Sequence, residues 1–342
     1  MSAWQRQCFA YHPVIGWWFI PCLEAMMPHE RGSYLVRTNS LGMRSDREYP
    51  LHKPKGRQRI VLLGDSYAAG DGVNNSERFS DRLEAFYPHL DVLNFGLPNS
   101  GTDQQLLVYE TLAKPFEADA YLFAIVVENV LRNQQRYRPA WEPQTDSVSY
   151  RPKPYFTVDN ERLVLHHQPV PLEKYTAMES AIQQPKSSNL LTLTIRQVAR
   201  HVLPSRLRRA IFRQLYGQPQ PFAGYESIDS SSWHLLRHIV LRFCEQVGEK
   251  PVFILPLPTY HFFLSDVAPI YMQRFITLEN RSRSRFVVNV LPYFLRLPLS
   301  DRQRCRFSTD PHYSPFAHAV VMQALSDAIS EFRPELLTPK EN

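Results

Sequence analysis

The run Arg59-Ile60-Val61-Leu62-Leu63-Gly64-Asp65-Ser66-Tyr67-Ala68-Ala69-Gly70-Asp71-Gly72 decides how this chain is read. Ile60 to Leu63 are four consecutive apolar residues, the pattern of a strand buried on both faces in a parallel sheet. Gly64 lets the backbone turn sharply as it leaves that strand. Ser66 then falls at the carboxyl end of a strand, where open α/β sheets gather their ligands. A helix starting just after it would aim unpaired backbone N–H groups at whatever Ser66 approaches. Alone, the same tripeptide also reads as a helix cap, since Ser and Asp are favoured N-caps.

Outward from that run, strands and helices alternate. Asn75-Ser76-Glu77 opens a helix with Phe79, Leu83 and Phe86 on one face. Val92 to Phe95 reads as a second strand, and Asn99 to Thr102 leads into a helix carrying Leu106, Leu107, Tyr109 and Leu112. Ala120 to Val127 is a third strand. Further on come a helix over 231–247, a strand over 252–257, a last strand over 286–290 and a closing helix over 315–332. Val320, Val321, Ala324, Leu325 and Ile329 form the inward face of that closing helix. This rhythm predicts a three-layer α/β sandwich around a central parallel sheet with right-handed crossovers.

The rhythm also suggests boundaries. Residues 1–58 hold no strong helical period and read as an N-terminal extension packing on the core, with a short strand at Ser33–Val36 and a turn at 39–42. Residues 59–131 and 229–342 make the core, and 132–228 an inserted basic cap. Within the cap, 136–154 is Pro-rich and reads as loop, 154–170 as a hairpin turning at Asp159-Asn160-Glu161, and 190–202 and 206–216 as helices.

Composition narrows the classes. Over 342 residues, 44% are hydrophobic and 21% charged, with a formal net charge of +6, an ordinary globular balance that is mildly receptive to anionic partners. No RNA-recognition or zinc-finger pattern is present, so nucleic acid is not the expected partner. Cys8, Cys22, Cys244 and Cys305 form no C-x-x-C pair, which argues against a zinc or redox motif and for reduced thiols in a cytoplasmic setting. Residues 14–23 are apolar and aromatic but too short, and too broken by proline, to span a membrane. They read as part of the fold, the alternative being a signal peptide with no evident cleavage site.

Four segments that carry chemistry fall at strand ends or helix starts: Gly64-Asp65-Ser66, Asn94-Phe95-Gly96, Glu128-Asn129 and Asp310-Pro311-His312-Tyr313-Ser314. A doubly wound sheet would collect them at one edge. A serine hydroxyl becomes a useful nucleophile when a base takes its proton. His312 can be that base, since imidazole titrates near neutrality, and Asp310 can orient it and stabilise its cation. A developing oxyanion needs fixed donors, for which the backbone N–H of Ser66, the backbone N–H of Gly96 and the side-chain amide of Asn129 are the candidates. One such donor is worth roughly 3–4 kcal/mol in the transition state.

These blocks resemble the SGNH, or GDSL-type, hydrolase superfamily over about residues 58–130 and 305–332. The resemblance implies Ser66 as nucleophile, His312 as base and Asp310 as its partner. It also implies a flavodoxin-like parallel sheet, no metal or organic cofactor, and O-acyl groups on carbohydrates, lipids or small metabolites as substrates. One block departs: the family's Gly-x-Asn-Asp is Val126-Val127-Glu128-Asn129 here, so either Glu128 or Asn129 takes the asparagine's place. An ionised glutamate cannot donate to an oxyanion, which favours Asn129. With Glu128 at the site, the alternative is a catalytically impaired binding protein on the same fold.

The remaining features stay open. Arg196, Arg200, Arg206, Arg208, Arg209 and Arg213 lie in a stretch with no acidic residue. They read as solvated helix faces, as a docking surface for an acidic protein such as a carrier, or as a membrane-surface contact. Tyr155, Phe156, Tyr260, His261, Phe262 and Phe263 line a groove or fill a core. His318, amid apolar neighbours, reads as packed rather than as a second base, Asp65 as structural, and Ser100 as an N-cap.

Overall fold

The computed structural model describes residues 8–142, 145, 147–176, 179, 224–265 and 267–339. The expected helices over 190–202 and 206–216, and the arginines that ride on them, lie outside the described residues.

Two antiparallel hairpins come first: β1 (Phe9–His12) with β2 (Gly16–Phe19), and β3 (Glu24–His29) with β4 (Gly32–Arg37). The core sheet follows. Its strands are β5 (Gln58–Gly64), β6 (Leu90–Gly96), β7 (Ala120–Val126), β12 (Val252–Leu257) and β13 (Arg285–Val287). All pairings are parallel, in the order β13-β12-β7-β5-β6. In sequence order this is 2-1-3-4-5, the flavodoxin-like arrangement, whose direction of winding reverses between its first and third strands, here β5 and β7. Every residue of β5, β6, β7 and β12 is buried, as expected of strands covered on both faces.

Helices supply that cover. On one side α2 (Phe79–Phe86) packs on β6 and on the closing helix α5 (Pro315–Phe332). On the other, α3 (Thr102–Val108) packs on α4 (Ser231–Val247) and β5. The molecule is therefore a three-layer α/β sandwich. Short helical turns at Tyr260–Phe263, Ile270–Phe275, Leu291–Leu295 and Leu299–Arg304 fill the stretch between β12 and α5.

The structure differs from the sequence reading in three places. Residues 136–154, expected as loop, hold a second ribbon, β8 (Tyr137–Glu142) with β9 (Ser147–Pro152). Proline obscured it, yet a two-stranded ribbon is all edge, and edges tolerate proline. The last core strand spans only Arg285–Val287, because after Val288 donates to the Ile254 carbonyl at 2.9 Å the chain leaves the sheet. Phe86 is exposed; Tyr87 instead reaches α5, its hydroxyl 2.7 Å from Ser326 Oγ. The hairpin expected over 154–170 is present as β10 (Tyr155–Asp159) with β11 (Arg162–His166), turning at Asn160 and Glu161. No described helix is long and apolar enough to cross a membrane, and all four cysteines are free thiols.

Candidate active site

The chain leaves β5 at Gly64 and enters α1 (Ser66–Ala69) within two residues. Asp65, not Ser66, is the N-cap: its Oδ1 accepts from the Tyr67 N–H at 3.0 Å. Ser66 is thus the first residue of the helix, with an N–H that has no partner within it. Gly64 is required here, because a Cβ would sit 2.4 Å from that of Ala68.

At the far end of the sequence, Ser314 caps α5 through the Ala317 N–H. The loop before it is closed by a bridge between Arg306 and Tyr313. Inside the loop, Asp310 Oδ1 accepts from the His312 backbone N–H at 2.8 Å and from its ring Nδ1 at 2.6 Å. The other ring nitrogen, Nε2, lies 2.8 Å from Ser66 Oγ. Residues 246 positions apart thus meet in one line, hydroxyl to imidazole to carboxylate.

The protonation states follow from the surroundings. Burial would raise Asp310, but hydrogen bonds from His312 and that ring's charge outweigh it and hold the carboxyl below its usual range. Asp310 is therefore ionised, and Nδ1 must be the donor. Nε2 is left with its lone pair toward the Ser66 hydroxyl, the arrangement a general base needs. Burial would lower His312, yet the bond to Asp310 and the charges of Asp71, Asp310 and Asp65 raise it above the ordinary imidazole value. The Ser66 residue is 5% exposed, and the side chains of His312 and Asp310 19% and 28%, so the line is accessible from one side.

Two of the three expected oxyanion donors stand beside Ser66 or its loop. The first is Ser66's own N–H. The second is Asn129, whose amide donates to Asp65 Oδ2. An amide nitrogen carries two protons, so one orients the group and one is free to donate. Glu128 is turned to a different set, accepting from Thr259 Oγ1 and lying 2.7 Å from His261 Nδ1. Gly96 is a correction. Its single N–H donates to Asn94 Oδ1 at 2.9 Å, and a Cβ there would lie 2.5 Å from the Ala69 backbone nitrogen. It is the glycine that lets α1 lie against β6, and its amide is already used.

Several residues with no motif of their own hold this arrangement. Tyr67 donates to the Pro311 carbonyl at 2.9 Å, tying α1 to the histidine loop. Glu30, at the tip of the β3–β4 hairpin, accepts from the backbone N–H groups of Ser308 and Thr309 and from the Thr309 hydroxyl. The Thr309 hydroxyl foremost holds Glu30 down at about 2. His29 Nε2 is 3.5 Å from Asp310 Oδ2, with the ring edge-on to Phe307. Arg44 is buried, and its guanidinium donates to the carbonyls of Ala69, Gly70, Val73 and Leu35 and to Asn75 Oδ1. Burial lowers it to about 10, which leaves it charged at neutral pH. Arg132 donates to the Ser100 carbonyl at 3.1 Å and stands 3.8 Å from Asp65 Oδ2.

The other sequence candidates fall elsewhere. Ser100 donates to the Leu97 carbonyl, and Gly101 rather than Ser100 caps α3. His318 is fully buried; burial first, then Arg78, Arg82 and Arg44, push it down to about 3, and its Nδ1 accepts from the Phe79 N–H. Phe156, Phe262 and Phe263 are core.

No family model matches the sequence, and no curated protein matches it. Solved structures similar to it include lipolytic hydrolases. A lipase/acylhydrolase from Enterococcus faecalis is 11% identical, with 83% of this chain and 100% of that chain covered, at a TM-score of 0.42. A lipolytic protein of the G-D-S-L family from Veillonella parvula is 8% identical, with 80% and 98% covered, at 0.40. The esterase EstA from a Pseudoalteromonas species is 10% identical, with 80% and 97% covered, at 0.38. These TM-scores lie below 0.5.

Proposed function

We propose that the chain is a serine esterase or deacylase of the SGNH/GDSL type, which passes an O-acyl group through a covalent acyl-enzyme to water or to an acceptor alcohol. The observation that carries this reading is the unbroken line Ser66 Oγ, His312 Nε2, His312 Nδ1, Asp310 Oδ1, with separations of 2.8 and 2.6 Å at its two hydrogen bonds.

The steps follow from that line. Ser66 Oγ attacks the ester carbonyl carbon while its proton moves to His312 Nε2. Asp310 stabilises the imidazolium. The oxyanion accepts from the Ser66 N–H and from the second N–H of Asn129. As the intermediate collapses, the C–O bond to the alcohol breaks and His312 protonates the departing oxygen. Water, or an acceptor alcohol, then attacks the acyl carbon as its proton passes to His312. When that intermediate collapses, the bond to Ser66 Oγ breaks, His312 returns the proton to Ser66 Oγ, and the acid or the new ester leaves. The site's place, after β5 and β7 at the reversal of the sheet, agrees with where such sheets bind ligands.

The test is turnover of aryl esters of graded acyl length, followed by acetylated sugars. Release by the wild-type protein that falls to background in Ser66→Ala supports the reading; release unchanged in that variant overturns it. One observation favours a second reading, a binding protein with impaired chemistry: of the expected oxyanion donors, the Gly96 amide is taken by Asn94. Absence of turnover across the whole series, with acylated ligands still bound, would support that reading.

A further inference from the structure

Away from the strand ends, the turn between β10 and β11 meets α4 and brings together three side chains with no part in the chemistry above. His234 and His238 are one helical turn apart, so they project from the same face of α4. Their ring centroids are 4.3 Å apart. Glu161 reaches them from the hairpin turn, with Oε2 3.0 Å from His238 Nε2 and Oε1 3.8 Å from His234 Nε2. One donor atom from each residue lies within 4.8 Å of the other two.

The second nitrogen of His238 says what belongs between them. Nδ1 is 2.8 Å from the His234 backbone carbonyl, which can only accept. The Nδ1 therefore carries a proton, and Nε2 is the nitrogen that faces Glu161. At 3.0 Å that nitrogen and the carboxylate oxygen are joined through a cation, either a second ring proton or a metal ion. A second ring proton would serve His238 and Glu161 alone. A metal ion would serve all three groups.

We propose that Glu161, His234 and His238 form a binding site for a divalent transition metal of the zinc class. Around tetrahedral zinc, with bonds of about 2.0–2.2 Å, neighbouring donor atoms stand roughly 3.3–3.6 Å apart. Here one Glu161 oxygen is 3.0 Å from His238 Nε2, the other is 3.8 Å from His234 Nε2, and one donor atom from each residue lies within 4.8 Å of the other two, so small side-chain adjustments close the set. Two imidazoles and one carboxylate suit zinc, copper or nickel, and not the all-oxygen preference of calcium or magnesium. The Nδ1 bond to a carbonyl fixes the ring as metal-binding histidines are usually fixed. Glu161 is exposed and His234 half-buried, leaving a fourth position open to solvent. A bound ion would clip the β10–β11 hairpin to α4, and the site is independent of the chemistry at Ser66.

The test is a calorimetric titration of the tag-free full chain with Zn2+, with Mg2+ as control, for the wild type, His234→Ala and Glu161→Gln. Glu161 is exposed and His234 half-buried, and melting without metal checks that each variant is folded. The chain has 12 histidines, so the readout is the difference between proteins. The expected result is Zn2+ binding and a raised melting temperature in the wild type, with affinity at least tenfold weaker in both variants and no response to Mg2+. Zn2+ affinity equal in all three proteins, or no Zn2+ binding by the wild type, would overturn the proposal and leave a second ring proton as the cation.

Discussion

Ser66 and His312 are held in place by two regions built in opposite ways. Ser66 stands on the sheet: β5 is buried along its whole length, its register with β6 and β7 is fixed by continuous parallel pairing, and the turn into α1 follows with no slack. The loop carrying Asp310 and His312 has no such scaffold. It is gripped from the N-terminal segment by polar groups acting one at a time: Glu30 on the backbone of 308 and 309, and His29 beside Asp310. Arg44, from the same segment, gathers the carbonyls at the end of α1. An apolar pattern positions one half of the site, and single polar contacts position the other.

The largest expected effect breaks the line itself. Asp310→Asn should lower kcat by about 10⁴-fold with the fold intact, because an amide no longer fixes the tautomer that leaves Nε2 as acceptor. Steady-state kinetics alongside a circular-dichroism melt would check both halves of that statement. Asn129→Ala comes next, with roughly 10²–10³-fold lost from kcat and little change in KM if its second N–H meets the oxyanion. A loss of only a few-fold would reduce Asn129 to a prop for Asp65.

Arg44→Met asks whether the N-terminal segment is structural. It leaves several buried carbonyls without a donor, at about 1–3 kcal/mol for each group left unsatisfied. Chemical denaturation should show a loss of at least ~3 kcal/mol, and an unchanged midpoint would contradict the grip on α1. Glu30→Ala should be milder. The protein should stay folded while kcat falls about tenfold, since a loosened loop misplaces His312. An unaltered kcat would mean that the loop holds its own shape.

The smallest effect sharpens the electrostatics. Only neutral His312 can accept the Ser66 proton, and its pKa is raised above 6.5. The acid limb of kcat/KM should therefore have its midpoint above that value, and Asp310→Asn should move it down. The same shift stabilises the fold below the unfolded histidine value, a contribution lost as pH rises through the folded one. A midpoint below 6.5 in the wild type would contradict the carboxylate environment described here.

These two kinds of support also explain what the sequence could disclose. Ile60 to Leu63 and Ala120 to Val126 are apolar runs whose period and length declare buried parallel strands. With them came the parallel sheet, and Ser66 and the pair Glu128-Asn129 at the strand ends. His312 and Asp310 were legible through the resemblance of Asp310-Pro311-His312, ahead of a helix, to one family block, taken together with the other blocks. Glu30, His29 and Arg44 were not, because a lone charged residue in a hairpin looks the same whether it faces water or a loop nearly 280 residues away. Gly96 misled for a related reason: a glycine after a strand signals close backbone approach, and the partner here is Ala69 rather than a substrate. The ribbon of β8 and β9 was hidden by prolines that only an edge can accommodate.

The most direct test of the central claim is reaction of the intact protein with a fluorophosphonate, with the adduct mapped by peptide mass spectrometry. The account predicts a single adduct on the peptide carrying Ser66, formed quickly by the wild type, slowly by His312→Ala and not at all by Ser66→Ala. An adduct on another residue, or labelling of Ser66 at the same rate with and without the His312 imidazole, would contradict it.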